Sequence, residues 1–336
     1  MAAFLQFLDS FRSRRDFDSD TPRSDRPRIG LALSSGGAKG LAHIGVIQVL
    51  EENGIEIDAV IGTSMGAYVG GLWTAGFRGD ELAELAADLA APRDLWALID
   101  PLLPPRRGFI AGNRIRKRLE DSLGNRTFAD TKIPFYAVAT ELESLERVVF
   151  HEGELVSAVV ASAAVPGIVT PVVRHGVEYI DGGVCDPLPV NYLKEHGVVD
   201  KVIAVNVLPP VGSLRGSRTP DHHLAPWRRF LRLLNTHLNY FAPGNLLDIL
   251  RSAAMGTQMR LVERSAKNAD VLVRAVTTSP RWHDYNNHRH YIEVGRRAAE
   301  EALPAILALY ASESEEENSV DIETPTPSSR EVRSCA

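Results

Sequence analysis

Cysteine is nearly absent from this sequence. Cys185 and Cys335 are the only two in 336 residues, too far apart for a zinc site and too few for a disulfide framework, so a reducing compartment is expected. No apolar run approaches the roughly 20 residues that span a bilayer. Residues Met1–Leu8 lack a basic region and a full-length apolar stretch, so no signal peptide is expected. Positive charge is not in excess: a net charge of −6 and a pI near 6.0 argue against a general nucleic-acid binder. No cluster of carboxylates and histidines has metal-ligand spacing, and neither a metal nor a cofactor is expected. These absences point to a cytoplasmic protein, with peripheral contact at the inner face of a membrane left open.

What is present suits a globular enzyme-sized core, with 44% hydrophobic and 24% charged residues. Residues 1–27 read as a flexible leader that opens on a short amphipathic stretch (Phe4, Leu5, Phe7, Leu8, Phe11). From Arg28, strand-like and helix-like segments alternate. Ile29–Leu33 reads as a buried strand, Ser34–Gly40 as a tight glycine loop, Leu41–Glu52 as a helix closed by Asn53-Gly54, and Ile57–Ile61 as a second strand. Further strands are expected at Ile133–Thr140, Arg147–Phe150, Ile168–Val173, Val177–Ile180 and Lys201–Val207. The turn His175-Gly176 suggests a hairpin. Helices are expected after Ser64, from an Asp80 cap to about Ala90, and over Asn113–Leu123, Glu154–Ala164 and Pro189–His196. Pro101–Gly108 reads as a loop. The alternation predicts an α/β fold, a three-layer sandwich with a mainly parallel central sheet covered on both faces. Residues 210–310 read as a mainly helical extension packed on the domain. It carries an amphipathic helix at Trp227–Phe241, a helix over Asn245–Val262, a last strand at Val271–Val276 and a closing helix over Tyr291–Tyr310. Residues 311–336 are Glu/Ser/Thr/Pro-rich and read as a disordered acidic tail.

Three stretches carry chemistry. Ile61-Gly62-Thr63-Ser64-Met65-Gly66-Ala67 places Gly-x-Ser-x-Gly between a strand and a helix, the layout of a nucleophile elbow. The alternative is a plain helix start capped by Ser64 or Thr63. The glycine loop has two functional readings: its backbone N–H groups at Gly36, Gly37 and Ala38 face an oxyanion, or the loop cradles a phosphate. Lys39 adds a positive charge there unless it is simply solvated. Asp181, in Tyr179-Ile180-Asp181-Gly182-Gly183, puts a carboxylate at a strand end, where it is either a base for the serine or a structural turn residue.

In their chain order of glycine loop, serine elbow and Asp-Gly-Gly, these stretches resemble the patatin-like phospholipase family over roughly Arg28 to Pro209. The matching residues are Gly30–Val46, Ile61–Ala67, Ala-Ser-Ala-Ala-Val-Pro-Gly at Ala161–Gly167, and Asp181–Val190. The nearest flavour is the bacterial patatin-like and neuropathy-target-esterase-type serine esterases. The resemblance implies a patatin-like catalytic domain over 28–209, a modified α/β-hydrolase fold with a Ser64–Asp181 dyad and no histidine. It further implies an oxyanion hole at Gly36, Gly37, Ala38 and Lys39, and phospholipid or lysophospholipid esters as substrates. Ser35 stands where the family usually has glycine. If that position requires positive φ, serine is strained there or the loop is reshaped. Two other readings compete: a nucleotide-binding domain built on the glycine loop, and a non-catalytic patatin-like scaffold. A Ser–His–Asp triad would draw on His196, His222, His223, His237, His283, His288 or His290. Asp186 competes with Asp181 for the base role, His43 reads as packed or capped in the first helix, and Cys185 as a small buried filler.

Overall fold

The computed structural model describes residues 26–88, 99–102, 104–213, 246–277 and 284–311. The expected leader up to residue 25, the Trp227–Phe241 helix and the tail from residue 312 lie outside these residues. Arg28–Leu309 form one compact unit.

That unit is built on an eight-stranded mixed sheet. Its central strands are β1 (Ile29–Leu33), β2 (Ala59–Thr63), β4 (Phe135–Glu141), β9 (Lys201–Asn206) and β10 (Val271–Arg274), all parallel, in the order β10-β9-β1-β2-β4. Three antiparallel strands finish the far side: β5 (Arg147–Phe150) on β4, β8 (Val177–Asp181) on β4, and β7 (Val172–Arg174) on β8. Every residue of β1 and β2 is buried, as apolar side chains on both faces of a covered parallel sheet require.

Helices cover both faces. Ala32, Ile61, Tyr136, Val138, Val202 and Ala204 face one layer, where they meet Leu188 just ahead of α6 (Val190–Glu195), Val190 and Leu193 of that helix, and Val262 of α7 (Leu246–Ser265). On the other face, Leu33, Val60 and Phe135 lie under Gly70 of α2 (Met65–Thr74), and Val159 of α5 (Leu155–Ser162) packs over Gly71. Two more helices complete that layer's surroundings: α1 (Ala42–Glu52) and α8 (His288–Ala311) cross where Gly45 meets the Ile292 carbonyl and Gly295 meets the Ala42 carbonyl. Neither glycine leaves space for a methyl group, so absent side chains set this crossing distance. Arg296 then pairs with Glu52 across the same contact, with Nη2 and Oε2 2.8 Å apart.

Several expectations change in detail. The segment expected as one strand over Ile168–Val173 is two. Gly167–Val169 (β6) pairs with Gly108–Ile110 (β3) in a separate two-stranded sheet, and only Val172–Arg174 joins the main one. Pro171, which has no N–H to donate to a ladder, lies at the break. The Pro101–Gly108 loop therefore runs straight into a strand, and Arg107 ties it to Glu178 of β8. Asp80 is not a cap. α3 (Gly79–Asp88) already includes it, the Arg78 N–H donates to Glu81, and the Gly79 N–H donates to Glu51. α4 (Asn113–Leu123) falls as expected, whereas α8 begins at His288, ahead of Tyr291. The hairpin turn is borne out: His175 and Gly176 have φ of 50° and 83°, the paired positive values of a tight two-residue turn. Finally, the segment after 209 supplies β10 to the central sheet, so it is part of that layer as well as a helical cover.

Candidate active site

The site arises from the register of one strand. β2 runs along β4 with Thr63 opposite Val138, and β8 runs the other way along β4 with Asp181 opposite Ala139. β5 occupies the opposite edge of β4 through Ala137–Thr140, so β2 and β8 share one edge and meet there end to end. Each chain turns away where they meet. After β2 the chain makes the elbow at Ser64, and after β8 it enters a short 3-10 turn at Gly182–Val184.

Ser64 has φ 57° and ψ −118°, a backbone state that a serine holds only when its surroundings enforce it. Three contacts do so. A side chain on Gly62 would strike the backbone of Gly66, one on Gly66 would strike the carbonyl of Leu33, and the Ser64 N–H donates to Ser162 Oγ at 2.9 Å. Ser162 Oγ donates in turn to the Val138 carbonyl at 2.5 Å, which anchors the elbow to β4.

This geometry directs Ser64 Oγ at Asp181. The hydroxyl donates to Asp181 Oδ2 at 2.6 Å, and Asp181 Oδ1 accepts from the Gly183 N–H at 2.7 Å. Both residues are buried, at 7% and 4% exposure, so the pair sits in a medium that strengthens its hydrogen bond and penalises charge. Burial pushes the Asp181 carboxyl up to about 6, against the opposing hydrogen bonds from Ser64 and Gly183. A carboxylate poised there ionises near neutral pH and still holds a proton well. A side chain on Gly182 would strike the Val138 carbonyl, so glycine lets β8 end this close to β4.

The glycine loop closes on both partners. Ser34 is fastened three times: its N–H donates to the Val205 carbonyl, its Oγ accepts from the Val207 N–H, and its carbonyl lies 2.9 Å from His43 Nε2. A carbonyl only accepts, so Nε2 carries the proton of a neutral ring. Burial, which pushes the His43 pKa down to about 4, keeps it neutral. His43 is thus buried as expected, and it is also a clamp on the loop. The Ser35 N–H donates to the Pro187 carbonyl at 2.8 Å and is not available to a ligand. The residues with positive φ include Gly37, at 56°, but not Ser35, so the serine is unstrained. A 3-10 turn, Gly37–Leu41, begins at once, and the first N–H groups of such a turn have no partner within it. Gly40 packs against Met65, the residue after the elbow serine. Lys39 is buried at 1% exposure and is not the solvated lysine of the alternative reading.

Residues 31–194 match the family model described as patatin-like phospholipase. The chain carries a patatin-like phospholipase domain. Over 167 residues the chain is 43% identical to an uncharacterized NTE family protein of Mycobacterium bovis, covering 50% of this chain and 46% of that one. It is 33% identical over 226 residues to Lysophospholipase NTE1 of Cryptococcus neoformans, covering 66% of this chain and 13% of that one. It therefore spans about half the length of the first relative and a small part of the second. A solved structure, VipD from Legionella pneumophila, superposes with a TM-score of 0.42 at 12% identity, covering 84% of this chain and 67% of that one.

Within the patatin-like domain, the other expected candidates are engaged elsewhere. The Asp186 carboxylate pairs with Arg147 Nη1 at 2.8 Å, and its carbonyl accepts from Thr63 Oγ1, so it braces the elbow. Cys185 is half-buried beside Thr140, whose Oγ1 lies 3.0 Å from both Cys185 Sγ and the Asp181 carbonyl. His196 stacks on Tyr192 and bonds to its carbonyl. His222, His223, His237 and His283 lie outside the described residues. Ser162 is the functional residue that motif reading passed over. It lay in plain sight within Ala161–Gly167, but only the register of β2 on β4 gives it a role.

Proposed function

We propose that this protein hydrolyses carboxylic esters of phospholipids or lysophospholipids through an acyl-enzyme on Ser64, with Asp181 as the sole base. The observation that carries this reading is the direct Ser64 Oγ to Asp181 Oδ2 hydrogen bond at 2.6 Å, buried and without an intervening histidine. The name lysophospholipase borne by the NTE1 relative supports the substrate class.

As Ser64 Oγ attacks the ester carbonyl, its proton passes to Asp181 Oδ2. The carbonyl oxygen becomes an oxyanion, met by the N–H groups of Gly36, Gly37 and Ala38 with the Lys39 charge in the same turn. The intermediate collapses, the alcohol leaves with the proton from Asp181, and the acyl group stays on Ser64. Water then gives a proton to Asp181 and attacks the acyl carbon. On the second collapse that proton returns to Ser64 Oγ and the fatty acid departs. The nucleotide-binding and scaffold readings leave the strained Ser64 backbone and its buried carboxylate partner without a purpose.

Ser64→Ala tests the proposal. It should abolish hydrolysis of p-nitrophenyl butyrate and of lysophosphatidylcholine while circular dichroism stays unchanged. Turnover that survives this change would exclude Ser64 as the nucleophile.

A further inference from the structure

Two residues outside the dyad converge with Asp181 Oδ1, the oxygen that does not accept from Ser64, on the space beside Gly183. Ser35 is buried at 3% exposure, and its Oγ finds no hydrogen-bond partner among the described residues. Gln258 is half-buried on α7, beyond the matched span 31–194, where Met259 and Val262 anchor the helix to the core. Gly183 is where they meet. A methyl carbon built on it would lie 2.8 Å from Gln258 Nε2, 2.9 Å from Asp181 Oδ1 and 3.2 Å from Ser35 Oγ. Three polar atoms thus share the small space that the missing side chain leaves open.

Two of those atoms are donors and the third is an acceptor with capacity to spare. Asp181 Oδ1 accepts from the Gly183 N–H, and a carboxylate oxygen accommodates a second bond. Gln258 with Nε2 toward the carboxylate is the orientation electrostatics favours, since Oε1 there would repel it. A buried hydroxyl with no partner is destabilising. The glycine expected at position 35 would avoid that cost, so packing alone gives no reason for the serine.

We infer that Ser35 and Gln258 are positioning residues for Asp181, donating to Oδ1 during the acyl-enzyme stage, when esterified Ser64 no longer donates to Oδ2. The inference rests on the Ser64–Asp181 dyad proposed above. In the free enzyme Ser64 and Gly183 hold the carboxylate. Once Ser64 is acylated and the alcohol has left with its proton, Asp181 is anionic, buried and one donor short until water arrives. The hydroxyl and the amide fill that gap and keep the carboxylate aimed at the incoming water.

The pH dependence separates this role from a structural one, because kcat/KM reports the free enzyme and kcat the acylated one. Other titratable groups on the elements around Asp181 include Lys39 in the glycine turn, His43 on α1, Glu141 on β4, Glu178 and Tyr179 on β8, Cys185 and Asp186 after β8, Arg147 on β5, and Arg260 and Glu263 on α7. None of them contributes to the upward shift of Asp181. The experiment is a pair of pH profiles with p-nitrophenyl butyrate, whose good leaving group makes deacylation limiting. It compares the full-length wild type, Ser35→Gly, Gln258→Met and the double variant, with Ser64→Ala as control. Removing a donor to the charged form should raise the acid midpoint of kcat by about one pH unit in each single variant and further in the double. The kcat/KM midpoint should stay near the wild-type value. Unmoved kcat midpoints in folded variants, or kcat and kcat/KM midpoints moving together, would overturn the inference. Each single variant decides the matter if the other fails to fold. Turnover by Ser64→Ala would signal instead that the dyad reading itself has failed.

Discussion

Asp181 carries opposite consequences for activity and for stability. Its carboxyl is pushed up to about 6 by burial, well above the ordinary aspartate value near 3.9. As a base it must be ionised, so kcat/KM should fall below about pH 6 with a slope of one proton. For stability the sign reverses. Between the unfolded and folded values the native state binds the extra proton, so stability falls as pH rises from about 4 to about 6 and stays lowered above that range. Asp181→Asn removes the buried charge. It should slow hydrolysis by about 10²- to 10⁴-fold, as loss of a general base does. It should also stabilise the protein at pH 8 by up to about 3 kcal/mol. Thermal melts of both proteins at pH 4 and pH 8 check this, the gain being expected at pH 8 and absent at pH 4. Ser162 yields a second prediction at this scale. Ser162→Ala leaves the buried Ser64 N–H and Val138 carbonyl without each other's bridge, costing about 1–3 kcal/mol in a denaturant titration. Activity should fall through kcat, because the residue positions the elbow and does not bind substrate.

At the scale of elements, two strand ends and a loop build the site. β2 and β8 meet end to end on one edge of β4, and glycine permits each close approach: Gly62 and Gly66 around the elbow, Gly182 beside Val138. Gly66→Ala places a methyl against the Leu33 carbonyl. Backbone cannot yield as a flexible side chain does, so this change should destabilise by about 2–4 kcal/mol and abolish activity, as denaturant titration and ester assay would read. Much of this was legible from sequence. The strand–glycine loop–helix–strand order, the elbow and the Asp-Gly-Gly strand end each have a local signature in residue type and spacing, and each falls where expected. What was not legible is non-local. Nothing in Ile168–Val173 says that its first half pairs with Gly108–Ile110, because that choice depends on a partner nearly sixty positions away. Nor does the sequence around Ser35 reveal that its N–H is taken by Pro187 and that its φ is ordinary. The expected strain presumed a backbone state that only the folded loop defines.

For the whole molecule, the sheet continues past residue 209. β10 pairs in parallel with β9, whose Val202, Ile203, Ala204 and Val205 are fully buried. A chain cut to residues 28–209 would expose that edge and strip α7 from Val262 inward, leaving Leu208, Val202 and Ala204 uncovered. Such a fragment should aggregate or unfold rather than retain activity, as size exclusion and an ester assay would report. The same tertiary arrangement hides Gln258 from sequence reading. It sits in a helix with no motif, and its approach to Gly183 exists only because α7 covers the sheet face next to β8's turn. Among the described residues no helix is long and apolar enough to cross a membrane. Covalent capture is the decisive test of a serine nucleophile paired directly with an aspartate. Wild-type protein is incubated with a fluorophosphonate probe, digested, and mapped by mass spectrometry. One adduct is expected, on Ser64, formed far more slowly in Asp181→Asn and unaffected by replacement of any single histidine outside the glycine-loop clamp. An adduct on another residue, or ester turnover continuing while Ser64 remains unlabelled, would contradict it.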